Sequence, residues 1–461
     1  MGRDINRRDF VKGAGAAGIV GVAGCIGQPQ DGGSGGTATQ TSGDDMGGDG
    51  GTTTTTTGGG TSGGPDMLVV IGYPESGIQL FRDYYSSTGG GHDILVPDGL
   101  RDGTMPAQVG NDMANVVGTA PAAGGPNQDA FNSLFQEEYG AAPGVFTSQS
   151  YDSVAIQIIA NAAAGANDGT SVRDQMRRVA NPGGTEYGPQ NFLDAVEAAA
   201  NGEDVNYQGA SSVTNFNEAG DPASAAYAIW EFEGTGSQST STLDVQNFEG
   251  ENPEGAGPAA DSGPGGMGRT IKVGILLPET GGLASVGKPM IQAAQLPVLQ
   301  VNDSDLDLEV DAQVEDTQTS PSAGVAAAQT LVNGGYPSVC GSASSGVNVP
   351  VSQEVFISNQ VVGCSPSSTA LSVTNLEDDD YIFRTAPSDL LQGRVMAQVA
   401  AERLGNATAA TLYVNNDYGQ QLSNRFSSVF EDTFDGTVTN QVAFNKGESS
   451  YTSVIETALS A

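Results

Sequence analysis

The stretch RTIKVGILLPETGG, Arg269 to Gly282, reads as the first strand and first turn of a folded domain, yet it lies past the middle of a 461-residue chain. Ile271 to Leu277 is a near-continuous apolar run of the kind presented by a strand buried on both faces of a parallel sheet. A Gly-rich turn follows it. Further on, Asp307 to Asp316 (DLEVDAQVED) alternates like a strand. The segment SPSAGVAAAQTLVNGG then predicts a helix with Ser320 as N-cap, Pro321 at its first position, an apolar face of Val325, Ala328 and Val332, and Gly334 as its stop. Two strand-turn units come next, YPSVCGSASSG and QVVGCSPSST. Beyond Ser388 the pattern runs helix (LLQGRVMAQVAAERLG), strand (ATAATLYVNNDYG) and helix (QQLSNRFSSVFEDTF). Repeated βα units build a doubly wound, mostly parallel α/β sheet.

The same style appears upstream. DMLVVIGYPESG, Asp66 to Gly77, reads as strand and loop, Ile78 to Ser87 as a helix, and DILVPDG as a short strand. After VVGTAPAAGGP come two amphipathic helices, one carrying Phe131, Leu134 and Phe135, the other running from Tyr151 through Ile159. YAIWEFEG, Tyr227 to Gly234, is a closing strand. Neither block looks like a complete domain, because the last helix has no following strand to cross to. Between the blocks, 235–268 is rich in Gly, Ser, Pro and acidic residues and reads as a flexible linker; 26–65, with six consecutive Thr from Thr52 to Thr57, reads as a disordered tether.

Charge limits the function. The chain carries 54 Asp and Glu against 17 Lys and Arg, a formal net charge of -37. Such a surface is unsuited to nucleic acid. With ordinary apolar content it suits a protein adapted to molar salt, where the Debye length shrinks to about 3 Å and self-repulsion fades. A halophilic source is the expectation. At the N-terminus, NRRDFVK places Arg7 and Arg8 before a short apolar, Gly- and Ala-rich run, which looks like a twin-arginine export signal. The run is too short to span a bilayer. It ends in VAGC, similar to the cleavage box of lipoproteins, and residues 1–25 thus read as a signal that leaves Cys25 as the lipidated residue. GAGAAG within this run follows no strand and is signal peptide rather than a dinucleotide fingerprint.

With these parts assembled, the chain resembles the branched-chain amino-acid-binding type of periplasmic solute receptor, with its halves exchanged. That family begins with text like VGILLPETGGLASVG and ends with text like YAIWEFEG. Placing the final helix, SSYTSVIETALSA, ahead of GPDMLVVIGYPESG restores the family order, so the chain reads as a circular permutant. Residues 66–234 are then the ancestral C-terminal half, 235–268 joins the old termini, and 269–461 is the ancestral N-terminal half. A coil as long as 235–268 spans about 32 Å r.m.s., enough to cross a lobe face. The resemblance implies the type I two-lobed periplasmic binding fold, each lobe a doubly wound sheet. One lobe contains 269–388 with 122–210; the other contains 389–461, 66–119 and 211–234. Crossings fall near Ser388, Ala120 and Tyr207, and the ligand sits in the cleft at strand carboxyl ends.

Site residues follow from the resemblance motif by motif. In GSASSG, Ser345 takes the place of the cleft serine that meets a ligand carboxylate. In SPSST, Ser367 and Thr369 match positions that accept from the ligand ammonium. From the other lobe Tyr418 (NNDYG), Tyr73 (GYP) and Asp98 (PDG) fall on the pattern, with Asp98 facing the ammonium. The resemblance puts the pocket for the ligand side chain at Gly281 to Val286, with Val286 where many relatives carry an aromatic residue. The implied function is capture of a small amino acid of branched-chain type at the cell surface and its delivery to a membrane-embedded ABC permease, with no cofactor or metal. A sensor of the same fold for amides, urea or other small solutes, and a poorly functional product of gene rearrangement, stay open. Enzyme chemistry has little support: the single histidine, His92, sits in a Gly-rich loop with no Ser-His-Asp arrangement around it. Cys340 and Cys364 lie on strands expected to be neighbours, either as a disulfide or as two buried thiols.

Overall fold

The structure, a computed structural model, describes residues 64–249 and 266–460. Arg7, Arg8, Cys25 and residues 26–63 of the tether lie outside them. In chain order the strands are β1 (Met67–Ile71), β2 (Asp93–Val96), β3 (Val116–Pro121), β4 (Thr185–Tyr187), β5 (Val205–Tyr207), β6 (Ser224–Phe232) and β7 (Thr240–Glu249). They continue with β8 (Arg269–Leu277), β9 (Leu308–Asp316), β10 (Ser338–Gly341), β11 (Val362–Ser365), β12 (Ile382–Arg384), β13 (Thr408–Val414) and β14 (Thr437–Phe444).

Two main sheets form, as expected of an α/β fold with mostly parallel strands. The first has the order β12-β11-β10-β8-β9 and is parallel throughout. In β8, Ile271, Val273, Ile275, Leu276 and Leu277 are all fully buried. Each such side chain contributes about 1.5–3 kcal/mol of apolar burial, which is why this run takes an interior place in its sheet, between β10 and β9. The second sheet has the order β14-β13-β1-β2-β3-β6-β7, parallel up to β3 and antiparallel beyond it. Its centre joins distant parts of the chain: Met67 pairs with Ala409 and Ile71 with Tyr413. Asp66 donates its N–H to Thr408 Oγ1 at 2.8 Å and accepts from the Thr408 N–H at 3.1 Å. Gly64 is so close to the end of the helix Thr452–Leu459 that a Cβ on it would lie 3.0 Å from the Leu459 carbonyl oxygen.

Three expectations need correction. The stretch 235–268 is not a structureless linker, because its first part forms β7, paired along β6 from Ser224↔Glu249 to Phe232↔Thr240. Leu243 and Phe248 pack against the core, and Phe248 meets Tyr227 edge-on with 6.0 Å between ring centroids. Without β7 the long strand β6 would expose a row of unpaired backbone groups. The helix expected from Ile78 begins earlier, at Pro74, where proline's missing N–H costs nothing. Finally, the helix Thr147–Ala164 is not amphipathic: every residue from Thr147 to Ala163 is buried, between the first sheet and the helices Gly169–Ala180 and Ala284–Asn302.

That buried helix fixes one passage between the sheets. Its Asp152 accepts from Tyr207 Oη at 2.9 Å, Ala210 N at 3.0 Å, Ser211 N at 2.7 Å and Ser211 Oγ at 2.6 Å. Burial nevertheless pushes its carboxyl up to about 6. Cys340 and Cys364 are register partners on β10 and β11 and are free, buried thiols. Burial pushes the Cys340 thiol up to about 12, which leaves it an inert packing group.

Candidate functional site

Six strands from the two sheets end toward one cleft, and each hands over to a loop that carries a polar group. From the first sheet, β8 leads to Pro278–Val286, β10 to Ser342–Ser345, and β11 to Ser367–Thr369. From the second, β1 leads to Tyr73, β2 to Asp98, and β13 to Asn416–Tyr418. Gly341 makes the turn after β10 possible: it has φ +140, and a Cβ there would collide with the Leu276 carbonyl.

The two serine-rich loops are sewn together. Ser365 Oγ donates to the Ser342 carbonyl at 2.6 Å, Ser367 Oγ to the Ala343 carbonyl at 3.2 Å, and the Ala370 N–H to Ser345 Oγ at 3.2 Å. Arg384, fully buried, forks onto Asp221 at 2.5 and 2.7 Å and donates to the carbonyls of Ser368 and Ala370 at 3.0 and 3.1 Å. It therefore anchors the loop on either side of Thr369. On the opposite wall Tyr73 and Tyr418 stack, with centroids 5.8 Å apart and planes at 11°. Gln392 Nε2 donates to Asp98 Oδ1 at 2.7 Å, and Tyr418 Oη approaches the same oxygen at 3.4 Å. Burial pushes the Asp98 carboxyl up to about 6 and the Tyr73 phenol up to about 12.

Contacts across the cleft hold the walls together. Tyr73 Oη meets Ser344 Oγ at 2.9 Å while accepting from Asn416 Nδ2 at 2.9 Å. Lys446 Nζ donates to the Thr319 carbonyl at 2.7 Å, and the Ser372 N–H to Gln421 Oε1 at 2.8 Å. Between the walls lies a partly open cavity of about 30 Å³, which is room for only a couple of water molecules. Anything larger requires the walls to part.

Tyr73, Asp98, Ser345, Ser367 and Tyr418 all line this cavity, and Val286 does as well. Thr369 does not. It is buried behind the wall, where its carbonyl accepts from the Asp389 N–H at 2.8 Å and its hydroxyl lies beside the Asp389 carboxyl. Leu283 and Val286 fall inside the expected pocket segment, whereas sequence reasoning missed Ser344, the apolar Phe146 and Met290, and the pair Asp389 and Gln392 behind Asp98. Phe146 carries no local signal, since only the fold brings residue 146 beside residue 290. Asp389 opens the helix Asp389–Gln398 after the N-cap Ser388, and nothing in the local sequence marks it as a neighbour of Asp98. His92 lies away from the cleft, with Nδ1 3.2 Å from Tyr84 Oη.

Two mostly parallel sheets with helices around them, and a cleft at their strand ends, make this the type I periplasmic binding fold. A family model described as periplasmic binding protein matches residues 270–461. Among curated proteins the chain is similar to the leucine-, isoleucine-, valine-, threonine- and alanine-binding protein of Pseudomonas aeruginosa, 28% identical over 165 residues, 35% of this chain and 44% of that protein. It is likewise similar to a Leu/Ile/Val-binding protein homologue of Brucella melitensis, 30% identical over 162 residues, 34% of this chain and 43% of that one. The chain thus aligns with less than half the length of these relatives. A solved leucine-binding protein from Thermotoga maritima is 24% identical, over 41% of this chain and 53% of that chain, with a TM-score of 0.38.

Proposed function

We propose that this chain is an extracytoplasmic solute receptor that captures a small amino acid of branched-chain type between its lobes and passes it to an ABC importer. One observation carries the reading: a single cavity has the carboxylate of Asp98 on one wall, Ser344, Ser345 and Ser367 on the other, and an apolar side made by Phe146, Leu283, Val286 and Met290. A zwitterion with an aliphatic side chain is complementary to that layout. Its ammonium turns to Asp98, its carboxylate to the serine loops, and its side chain to the apolar wall. Thr369 serves from behind the serine loop.

Three parts of the reading concern the rest of the chain. Export through Arg7 and Arg8 and lipid anchoring at Cys25 hold the receptor at the outer face of the membrane. The acidic surface fits a halophilic setting. The order of the halves is that of a circular permutant; the pairing of β1 with β13, and the approach of Gly64 to Leu459, support a junction between those segments in the ancestral order.

The test is thermal unfolding of the folded unit in high salt, with and without each common amino acid. A ligand that binds only the folded form adds about 2.7 kcal/mol of stability at a hundredfold excess over its dissociation constant. A selective shift for leucine, isoleucine or valine is expected, abolished when Asp98 and Thr369 are both changed to Ala. A cooperative transition with no shift for any amino acid overturns the ligand class, and a shift for amides or urea instead favours the sensor reading.

A further inference from the structure

Behind Asp98 the structure buries a second carboxylate that the ligand site, as drawn above, does not use. Asp389 is 0% exposed; its carboxyl meets the neutral Thr369 hydroxyl and makes no ion pair among the described residues. It opens the helix Asp389–Gln398, and Gln392, one turn on, is the residue that donates to Asp98. The two acids therefore flank one helical turn. The Oε1 of Gln392 and the hydroxyl of Thr119 lack a partner. The donors in this cluster, the Gln392 amide and the threonine hydroxyls, are neutral and cannot balance two carboxylate charges.

The groups that face Asp389 come from every neighbouring element. They are Asp98 from the turn after β2, Thr369 from the loop after β11, Arg384 at the end of β12, Tyr227 from β6, and Tyr73 and Tyr418 from the cleft wall. Arg384 is the cation among them, and its fork is already committed to Asp221. Tyr227 Oη donates to the Ser388 carbonyl at 2.9 Å rather than to the carboxylate. Burial first, then the charge of Asp98, hold the Asp389 carboxyl well above the usual carboxylate range.

Two carboxylates in one dry site cannot both ionise without a counter-charge; one keeps a proton until a cation arrives. We propose that Asp389 is the proton-sharing partner of Asp98, and that capture of the ligand's ammonium expels one proton from this pair to solvent. The inference rests on the amino-acid reading. The balance is simple: a carboxylic acid and a carboxylate, plus an ammonium already charged, become two carboxylates around one ammonium and one released proton. Asp98 meets the ligand, whereas Asp389 acts through Asp98 as a positioning residue. The pair makes capture stronger as pH rises, by up to about tenfold per pH unit over the range in which the empty site keeps its proton.

The experiment is titration calorimetry of leucine into the receptor at one pH, in two buffers with different ionisation heats. The wild type is expected to show a buffer-dependent heat equivalent to about one proton released per ligand. Asp389→Asn should bind with a buffer-independent heat and a flat pH profile, and Asp389→Glu should restore the release. A buffer-independent heat in the wild type, or unchanged release in Asp389→Asn, overturns the proposal. Infrared pH titration of the ligand-free protein reads the pair separately, as a protonated carboxyl absorbance near neutral pH that both Asp389→Asn and Asp98→Asn remove. Its absence overturns the shared proton even if leucine binds. Its presence, with no amino acid binding at all, supports the pair and overturns the amino-acid reading.

Discussion

At the scale of single residues, the ionised form of Asp98 costs the fold stability. The Asp98 carboxyl rises from 3.8 to about 6 on folding because burial disfavours its charged form. The folded state thus holds a proton more tightly than the unfolded chain. The sign follows: stability is highest below the unfolded value and falls as pH climbs from about 4 to about 6, by an order of 3 kcal/mol at one pKa unit per 1.36 kcal/mol. Asp98→Asn should therefore stabilise the ligand-free protein at pH 7 by up to that amount, match the wild type near pH 4, and weaken amino-acid binding at least tenfold. Thermal midpoints at the two pH values, with a binding titration, check all three. Asp98, Ser345, Ser367, Tyr73 and Tyr418 were named through the family resemblance of their loop motifs, and all five line the cavity. Asp389 could not be placed beside Asp98, because the Gln392 contact that joins them spans 294 positions.

At the scale of elements, apolar runs located β1, β8 and β13, since a strand buried on both faces leaves few other readings. β7 was hidden for the opposite reason. It covers only one side of β6, so its alternation of Leu243 and Phe248 with polar residues is faint, and its Gly- and Ser-rich surroundings look like linker. Another element contact is invisible in sequence: Gly118 on β3 pairs with Trp230 on β6, and a Cβ at 118 would overlap the indole ring. Gly118→Ala is expected to cost about 1–3 kcal/mol through overpacking. Trp230 is the only tryptophan in the chain, so its fluorescence during denaturant unfolding reports the loss directly.

At the scale of the whole molecule, the second sheet assembles strands from both described halves of the chain, with β13 and β14 beside β1. If the halves are exchanged relative to an ancestral order, backbone continuity between them is dispensable. A reordered chain, with 266–460 followed directly by 64–249, should fold with one cooperative transition and bind the same amino acid within a few-fold, because joining ends already in contact costs little loop entropy. Calorimetry and the ligand-shift assay test this. A reordered chain that fails to fold, beside a wild type that does, would sink the permutation reading.

The sequence by itself determined the α/β class, the positions of most strands and the loops that carry the cleft's polar groups, because burial on both faces, turns and caps are written in neighbouring residues. The tertiary structure alone decided that β7 closes the sheet edge, that Thr369 lies behind the cavity wall rather than on it, and that Asp389 stands behind Asp98. Those facts depend on contacts between residues far apart in the chain, where packing and desolvation, not local pattern, select the neighbour.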